Sequence, residues 1–376
     1  MRYPKKKIGF RPTWADVDLR ALAYNFGKIR RRLDRGTRIM ATIKADAYGH
    51  GLIPVARKLV ACGVDWFGVA SIDEGIKLRK HGIRLPVLVM GLILKEDIPP
   101  LFTWDLVPTV CTLDFARALD REARRRRRRI GVHIKVDTGM GRIGVEQDEA
   151  RTLVGKIVRL ARLKIEGLFT HFAFADMDWE FTHHQIELFN RLVQDLRSGG
   201  IEVPLVHSAN SMGLLAYRNG HFTMVRPGLV LYGLHPQEGM GVRFKPVLSL
   251  KTKVLYVKRL PEGRGISYGH IYVTPKKTTI VTLPIGYGDG YPRNLSNKGF
   301  VLIKGKRFRI SGRVCMDQIM VDVGNTRVRV GDEAVLIGSQ KKEVVTTEEV
   351  ARLAGTIPYE IVCGLGSRIP RVYIDK

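Results

Sequence analysis

The sequence predicts an α/β fold, a (β/α)₈ TIM-type barrel followed by a mostly β C-terminal domain. Two changes in texture predict it. Over residues 1–235, apolar runs of strand length alternate with amphipathic stretches of helical period. After Gly241 the helical period fades, and short β-rich runs separated by Gly, Pro and Asn turns take over. The expected division is therefore residues 1–241 as barrel and 242–376 as a β-rich domain. A chain of 376 residues is long enough for both cores.

Eight strands are expected, beginning near Ile39, Trp66, Pro86, Asp105, Val132, Ile165, Val203 and Phe222. Helical patterns fall between them, at 52–62, 72–81, 146–163 and 181–196. In the last, Ile186, Phe189, Val193 and Leu196 recur every three or four residues, as one buried helix face requires. The second half shows strand runs at 248–257, 278–284, 300–303, 307–310, 319–323 and 333–337.

Composition narrows the class. The chain is 45% hydrophobic, without a continuous apolar run long enough to span a bilayer, so no membrane partner is expected. The basic N-terminus lacks a signal-peptide apolar core, and a cytoplasmic location is the expectation. Cys62, Cys111, Cys315 and Cys363 form no C-x-x-C pair, which argues against structural zinc and fits a reducing compartment.

The formal net charge is +27, and residues 124–129 are six consecutive arginines. A nucleic-acid partner has to be weighed on that basis. Six consecutive residues cover every face of a helix, however, and no aromatic residue interleaves them to stack bases. The run reads as a solvated helix end, and no nucleic acid is expected.

In such barrels the reactive groups lie at the C-terminal ends of the strands. The first strand ends in Lys44, before Ala45-Asp46-Ala47-Tyr48-Gly49-His50-Gly51. A lysine desolvated at a barrel mouth loses basicity and becomes a Schiff-base nucleophile. The fifth strand runs through Lys135 toward Arg142, the sixth ends in His171, the seventh in His207-Ser208-Ala209-Asn210-Ser211, and the eighth in Arg226-Pro227-Gly228. Ser211 and the turn at Gly228 offer a hydroxyl and backbone N–H groups to a phosphate. A Schiff-base lysine facing a phosphate site points to pyridoxal 5'-phosphate.

Three other signals are weaker. Gly139 to Gly144 matches G-x-G-x-x-G, but Glu166, at the dinucleotide-site spacing, opens a strand instead of closing one. His183-His184 has no acidic cluster beside it and reads as a solvated helix start, with no metal expected. Cys315 has no neighbouring histidine base and reads as lining an entrance.

Taken together, the motifs resemble the alanine racemase family over nearly the whole chain. They are KADAYGHG from Lys44, KVDTGMGRIG from Lys135, HSANS from His207, VRPGLVLYG from Val225, SYGH from Ser267, GYGDGY from Gly286 and GRVCMDQ from Gly312. Gly288 is a small departure, where alanine is the commoner residue, and is expected not to touch a catalytic group. The resemblance implies that Lys44 carries pyridoxal phosphate and that Lys44 and Tyr268 are the two acid/base residues. It implies that Tyr48, Ser211, Gly228 and Tyr359 hold the phosphate, and that Arg226 faces the pyridine nitrogen with His171 in its network. Arg142 and the backbone at Met316 would orient the substrate carboxylate, Tyr287 and Asp317 would shape the entrance, and Lys135 matches a position often carbamylated. A tyrosine normally titrates near pH 10, so Tyr268 is expected to need cationic help from His171 and Arg226.

The family further implies a homodimer sharing its sites, alanine as substrate, and a role supplying D-alanine for cell-wall peptidoglycan. Broad-specificity racemases of the same architecture remain open, since substrate range depends on pocket width. A decarboxylase would favour a carboxylate at the position of Arg226, and a cofactor carrier would lack the second domain.

Overall fold

The computed structural model describes residues 10–235 and 241–375. The basic N-terminal heptapeptide lies outside them. Strand β1 (Thr13–Asp18) comes first, followed by eight parallel strands: β2 (Arg38–Thr42), β3 (Trp66–Val69), β4 (Val87–Val89), β5 (Val107–Val110), β6 (Ile130–Asp137), β7 (Leu163–Phe169), β8 (Leu205–His207) and β9 (Met224–Val225). Their spatial order is β9-β2-β3-β4-β5-β6-β7-β8. The seam between β8 and β9 is drawn together where Thr223 N–H donates to the Val206 carbonyl at 3.1 Å and Val206 N–H donates to Thr223 Oγ1 at 2.7 Å. The result is the nearly closed barrel that the alternation predicts, with every expected strand start within a few residues.

Strand period two sends alternate residues into the barrel. Met40, Trp66, Leu88, Phe169, Leu205 and Met224, each from a different strand, form one buried cluster there. His133, Lys135, His207 and Arg226 fall on the same inward parity and are also buried. Helices wrap the outside and begin at side-chain caps: Asp18, Ser71, Thr112 and Asp178 each accept a first-turn backbone N–H. The fourth expected helix spans Trp179–Ser198, with Ile186, Phe189, Leu192 and Leu196 buried and Val193 only half-buried.

One helix boundary needs correction. The pattern read as helical over 146–163 is a helix only at Gln147–Val158. The chain turns through Leu160, and Leu163 already belongs to β7, because the apolar spacing of the helix runs without a break into that of the strand. Strand β1 precedes the barrel in sequence yet pairs antiparallel with Leu248–Lys253 and parallel with Arg371–Ile374, inside the sheet of the second half. Its inward residues Thr13, Ala15 and Val17 are fully or almost fully buried.

The second half contains that mixed sheet, a three-stranded antiparallel sheet of Tyr256–Leu260, Thr278–Leu283 and Ile319–Gly324, and two helices, Thr347–Ala354 and Pro358–Cys363. The run at 248–257 is two strands, separated where buried Val254 bonds to Asp332 and Gly331. The arginine run does end a helix, Leu113–Arg125. Arg125 and Arg126 pair with Glu122, and Arg124 with Asp120. Gly139–Gly144 leads into a two-residue strand, Val145–Glu146, before the helix, which is not the strand-turn-helix of a dinucleotide site.

Candidate active site

Lys44 opens a left-handed helical turn. Ala45, Asp46, Ala47 and Tyr48 all have positive φ, between +52° and +57°. Each costs about 1–2 kcal/mol for an L-residue, so surrounding contacts must over-determine the turn. They are present. The Asp46 carboxylate accepts Leu52 N–H at 3.0 Å and pairs with Lys77 at 3.1 Å. Gly49 packs so closely on Val362 that a Cβ would lie 2.1 Å from the Val362 carbonyl oxygen. Arg371 Nε donates to the Gly49 carbonyl at 2.9 Å. The turn leaves Lys44 half-buried and Tyr48 buried. Burial, and then the Arg142 guanidinium, hold the Lys44 amine below its ordinary basicity.

The phosphate candidates come together. Ser211 Oγ accepts Gly228 N–H at 3.0 Å. A Cβ on Gly228 would lie 2.6 Å from the Tyr48 hydroxyl, so that space exists only because residue 228 is glycine. The Tyr48 and Tyr359 rings are 5.9 Å apart, and Tyr359 is delivered by the helix Pro358–Cys363 of the second half. Burial keeps both phenols protonated, raising Tyr359 to about 12 and Tyr48 further. They are hydrogen-bond donors at neutral pH.

Arg226 is buried inside the barrel. Its Nη1 donates to the His207 carbonyl at 2.8 Å and to His207 Nδ1 at 2.7 Å. Its Nη2 donates to the carbonyls of Thr170 at 2.7 Å and Ser208 at 2.8 Å, with His171 Nδ1 further off at 3.4 Å. Nε–H is buried and has no partner among the described residues. Burial lowers the guanidinium to about 9, which still leaves it charged at neutral pH. His171 and His207 are held well below the ordinary histidine range, by burial first and Arg226 second, and are therefore neutral. A neutral His171 does not supply the cationic help expected of it.

Lys135 lies on the inward face of β6 with its Nζ buried and unpartnered among the described residues, 5.0 Å from the Phe169 ring centre. Burial, then Arg226, lower it to about 7. Arg142 is exposed on the loop after β6, with its N–H donating to Asp137 at 3.2 Å. Its charge also depresses Lys135 and His171, which puts it at the same rim.

Tyr268, Met316 and Asp317 belong to a different surface. With Ser267, His270 and Cys315 they line an open cleft on the second half. Tyr268 is 71% exposed and Met316 53%. Tyr287 joins this group through its N–H, which donates to the Cys315 carbonyl at 3.0 Å, and Asp317 pairs with Arg368 at 2.6 Å. Among the described residues, no hydrogen bond, ion pair or ring contact links Tyr268 to Lys44, His171 or Arg226 within the chain. Gly288 N–H donates to the Met316 carbonyl at 2.9 Å. Gly286 is required for close approach: a Cβ there would lie 2.1 Å from the Cys315 oxygen.

Several contributors carried no sequence signal. Arg371 and Glu74 brace the Lys44 turn, Glu74 by accepting Asp46 N–H at 3.4 Å. Buried Asp289 accepts Gly286 N–H at 2.9 Å and pairs with Arg11. His133 continues the Arg226 network, its Nδ1 lying 2.9 Å from His207 Nε2. Their partners are remote in sequence, so local pattern does not show them. Of the competing signals, His183 packs on Trp179 and Tyr217, and no metal-binding cluster exists among the described residues.

The comparisons with known proteins agree with this geometry. Residues 17–236 match the family profile described as alanine racemase, N-terminal domain, and residues 247–373 match alanine racemase, C-terminal domain. A curated alanine racemase of Halothermothrix orenii is 48% identical over 370 residues, covering 97% of this chain and 98% of its own. That of Carboxydothermus hydrogenoformans is 46% identical, covering 97% and 100%. Among solved structures, alanine racemase of Clostridium difficile 630 superposes with a TM-score of 0.93 at 38% identity, covering 98% and 97%. The Bacillus anthracis enzyme with bound L-Ala-P gives 0.92 at 35% identity, covering 98% and 96%. By sequence and by fold, this chain belongs to the alanine racemase family.

Proposed function

We propose that the protein interconverts L-alanine and D-alanine as a pyridoxal-phosphate-dependent isomerase, using one proton-transferring residue on each face of the substrate. The observation that carries the reading is the buried, unpartnered Nε–H of Arg226, at the same rim as an amine of lowered basicity and a glycine-dependent cradle. The residues fit the cofactor. Lys44 would hold it covalently. Ser211, Gly228, Tyr48 and Tyr359 would take its phosphate, and Arg226 Nε–H would donate to its ring nitrogen. When bound, pyridoxal phosphate acidifies the substrate Cα–H by drawing electrons from it. A guanidinium only donates and keeps its proton, so Arg226 leaves that nitrogen unprotonated and moderates the withdrawal.

The remaining chemistry belongs to the side chains. In the L-to-D direction Tyr268 takes the Cα proton and Lys44 returns one to the opposite face; D-to-L reverses the roles. Arg142 and the backbone at Met316 orient the carboxylate of the substrate, while Tyr287 and Asp317 narrow the approach. A lysine near pH 7 in basicity is half neutral at neutral pH, the state that reacts with carbon dioxide, which supports carbamylation of Lys135 beside Arg142.

Lys44 and Tyr268 lie on surfaces that do not meet in one chain, so we infer a homodimer in which each barrel receives Tyr268 and Met316 from its partner. We take the working division as 1–241 and 242–376, with β1 lent to the second half. All four cysteines are free, which fits a reducing compartment and a cytoplasmic enzyme; family membership is what supports a role supplying D-alanine to cell-wall peptidoglycan. Among the described residues no helix is long and apolar enough to cross a membrane.

Chiral chromatography of the cofactor-loaded protein incubated separately with L- and D-alanine tests the reading. Both reactions should converge on an equal mixture, with L-serine and L-lysine barely altered. Equal turnover of lysine or serine would shift the assignment to a broad-specificity racemase, and no racemisation of any would overturn it.

A further inference from the structure

At the end of the barrel opposite Lys44, the N-terminal strand ends surround a cavity of about 490 Å³. The chemistry of its lining is lopsided. Its lining carries five cations, Arg38, Arg84, Arg128, Arg129 and Lys164, against two carboxylates, Asp105 and Glu166. Both carboxylates are already engaged: Lys164 pairs with Glu166 at 3.2 Å, and Arg128 lies 3.5 Å from Asp105. Arg128 is also fixed by its bond to the Phe102 carbonyl at 2.7 Å. Arg38, Arg84 and Arg129 have no ion-pair partner among the described residues, and all three are exposed at the cavity rim. They start or precede three different strands, so they converge from separate sides of the ring instead of lying along one helix.

We infer that this cavity is a binding site for a compact polyanion of the oligophosphate class. Arginine forks match phosphate oxygens in pairs, and three unneutralised forks around one concavity set up a positive potential that a multiply charged anion relieves. Size and lining decide against a nucleic-acid strand. The concavity, about 490 Å³, has the volume of a small-molecule site. The aromatic residues in its wall, Trp66 and Phe102, are 5% and 2% exposed and offer no face for base stacking. The last arginine of the run, Arg129, thereby gains a use that the paired Arg124, Arg125 and Arg126 lack. The site stands apart from the racemase reading, being at the other end of the barrel.

Calorimetric titration of the holoenzyme with inorganic tripolyphosphate at physiological ionic strength tests the inference, with orthophosphate run in parallel. Tripolyphosphate should bind saturably, at one site per chain and more tightly than orthophosphate. The triple variant Arg38→Gln, Arg84→Gln, Arg129→Gln should bind at least about tenfold more weakly. None of these arginines has a carboxylate to leave unpaired, so the variant is expected to fold, and its melting temperature checks this. A control removing equal charge from exposed positions of the second half, Arg327→Gln, Lys341→Gln, Lys342→Gln, should change affinity less than twofold. Equal weakening in both variants would show diffuse attraction to a basic surface and overturn the site. Heat that never saturates in the unaltered enzyme would overturn it without any variant.

Discussion

Four of the five N–H bonds of Arg226 are spent on the carbonyls of Thr170, His207 and Ser208 and on His207 Nδ1, which fixes the direction of the fifth. Because a guanidinium only donates, His207 Nδ1 must accept, so its Nε2 carries the proton and donates to His133 Nδ1. Lysine at position 226 has neither the fork nor the reach to satisfy three carbonyls. Arg226→Lys should lower the racemisation rate by about 10²-fold or more and weaken cofactor retention; steady-state kinetics with a cofactor-release assay check both, and an unaltered rate would remove Arg226 from the site. Lys135 makes a prediction of a different kind. Its basicity falls from 10.5 unfolded to about 7 folded, so between those values the unfolded chain holds the extra proton. Stability therefore rises with pH across that interval, and the burial cost is complete below pH 7. Lys135→Met should stabilise the protein by a few kcal/mol at pH 6 in carbon-dioxide-free buffer, and the advantage should shrink toward pH 10. A pH-independent difference in melting temperature would contradict the assignment. The charged residues Lys44, Lys135, Arg142 and Arg226 were legible because each closes or follows an apolar run. His133 was not, since it lies in the middle of β6 and acts only through His207.

The left-handed turn at Ala45–Tyr48 is where local preference and function disagree most. Four consecutive L-residues at positive φ persist because the helix Pro358–Cys363 and Arg371, both from the far end of the chain, clamp the turn at Gly49. A side chain at Gly49 would press into the Val362 carbonyl. Gly49→Ala should therefore push away the helix that delivers Tyr359, costing about 2 kcal/mol or more of stability and weakening cofactor retention together. Ala45→Val, exposed at the same turn, should cost about 1–2 kcal/mol through backbone strain with smaller effect on retention. Thermal melts with and without bound cofactor separate the two cases, and equal behaviour would deny the clamp. No period in the sequence foretells such a turn, because KADAY has the composition of an ordinary helix start. Strand β1 was missed for a related reason. Its alternation is real, but Thr13 and Ala15 on its inner side are weakly apolar, and its partners lie more than two hundred residues away. Periodicity reports which face is buried, not which sheet receives it.

At the scale of the whole molecule, Lys44 and Tyr268, the residues proposed to transfer the protons, make no contact within one chain among the described residues. The barrel mouth holds Lys44, Arg142 and Arg226, all with mutually felt charge. The second half presents Tyr268 and Met316 in an open cleft, exposed in a way that a finished active site would not leave them. Exposed apolar residues accompany both surfaces: Leu92 and Leu94 follow β4, and Ile271 and Val273 follow His270 of the cleft. Twofold association is the simplest way to bring one surface onto the other, because an isologous contact completes two sites at once. The consequence is quantitative. Lys44→Ala and Tyr268→Ala homodimers should each be inactive. After subunit exchange at equal concentration, half of the dimers are mixed, and each mixed dimer contains one site with both residues intact. Activity should return to about a quarter of that of the unaltered enzyme. Analytical ultracentrifugation or native mass spectrometry of differently tagged chains verifies the exchange. Activity that stays absent in verified mixed dimers would mean that each chain completes its own site, and the split seen here would then have to close by movement of the two halves of a single chain.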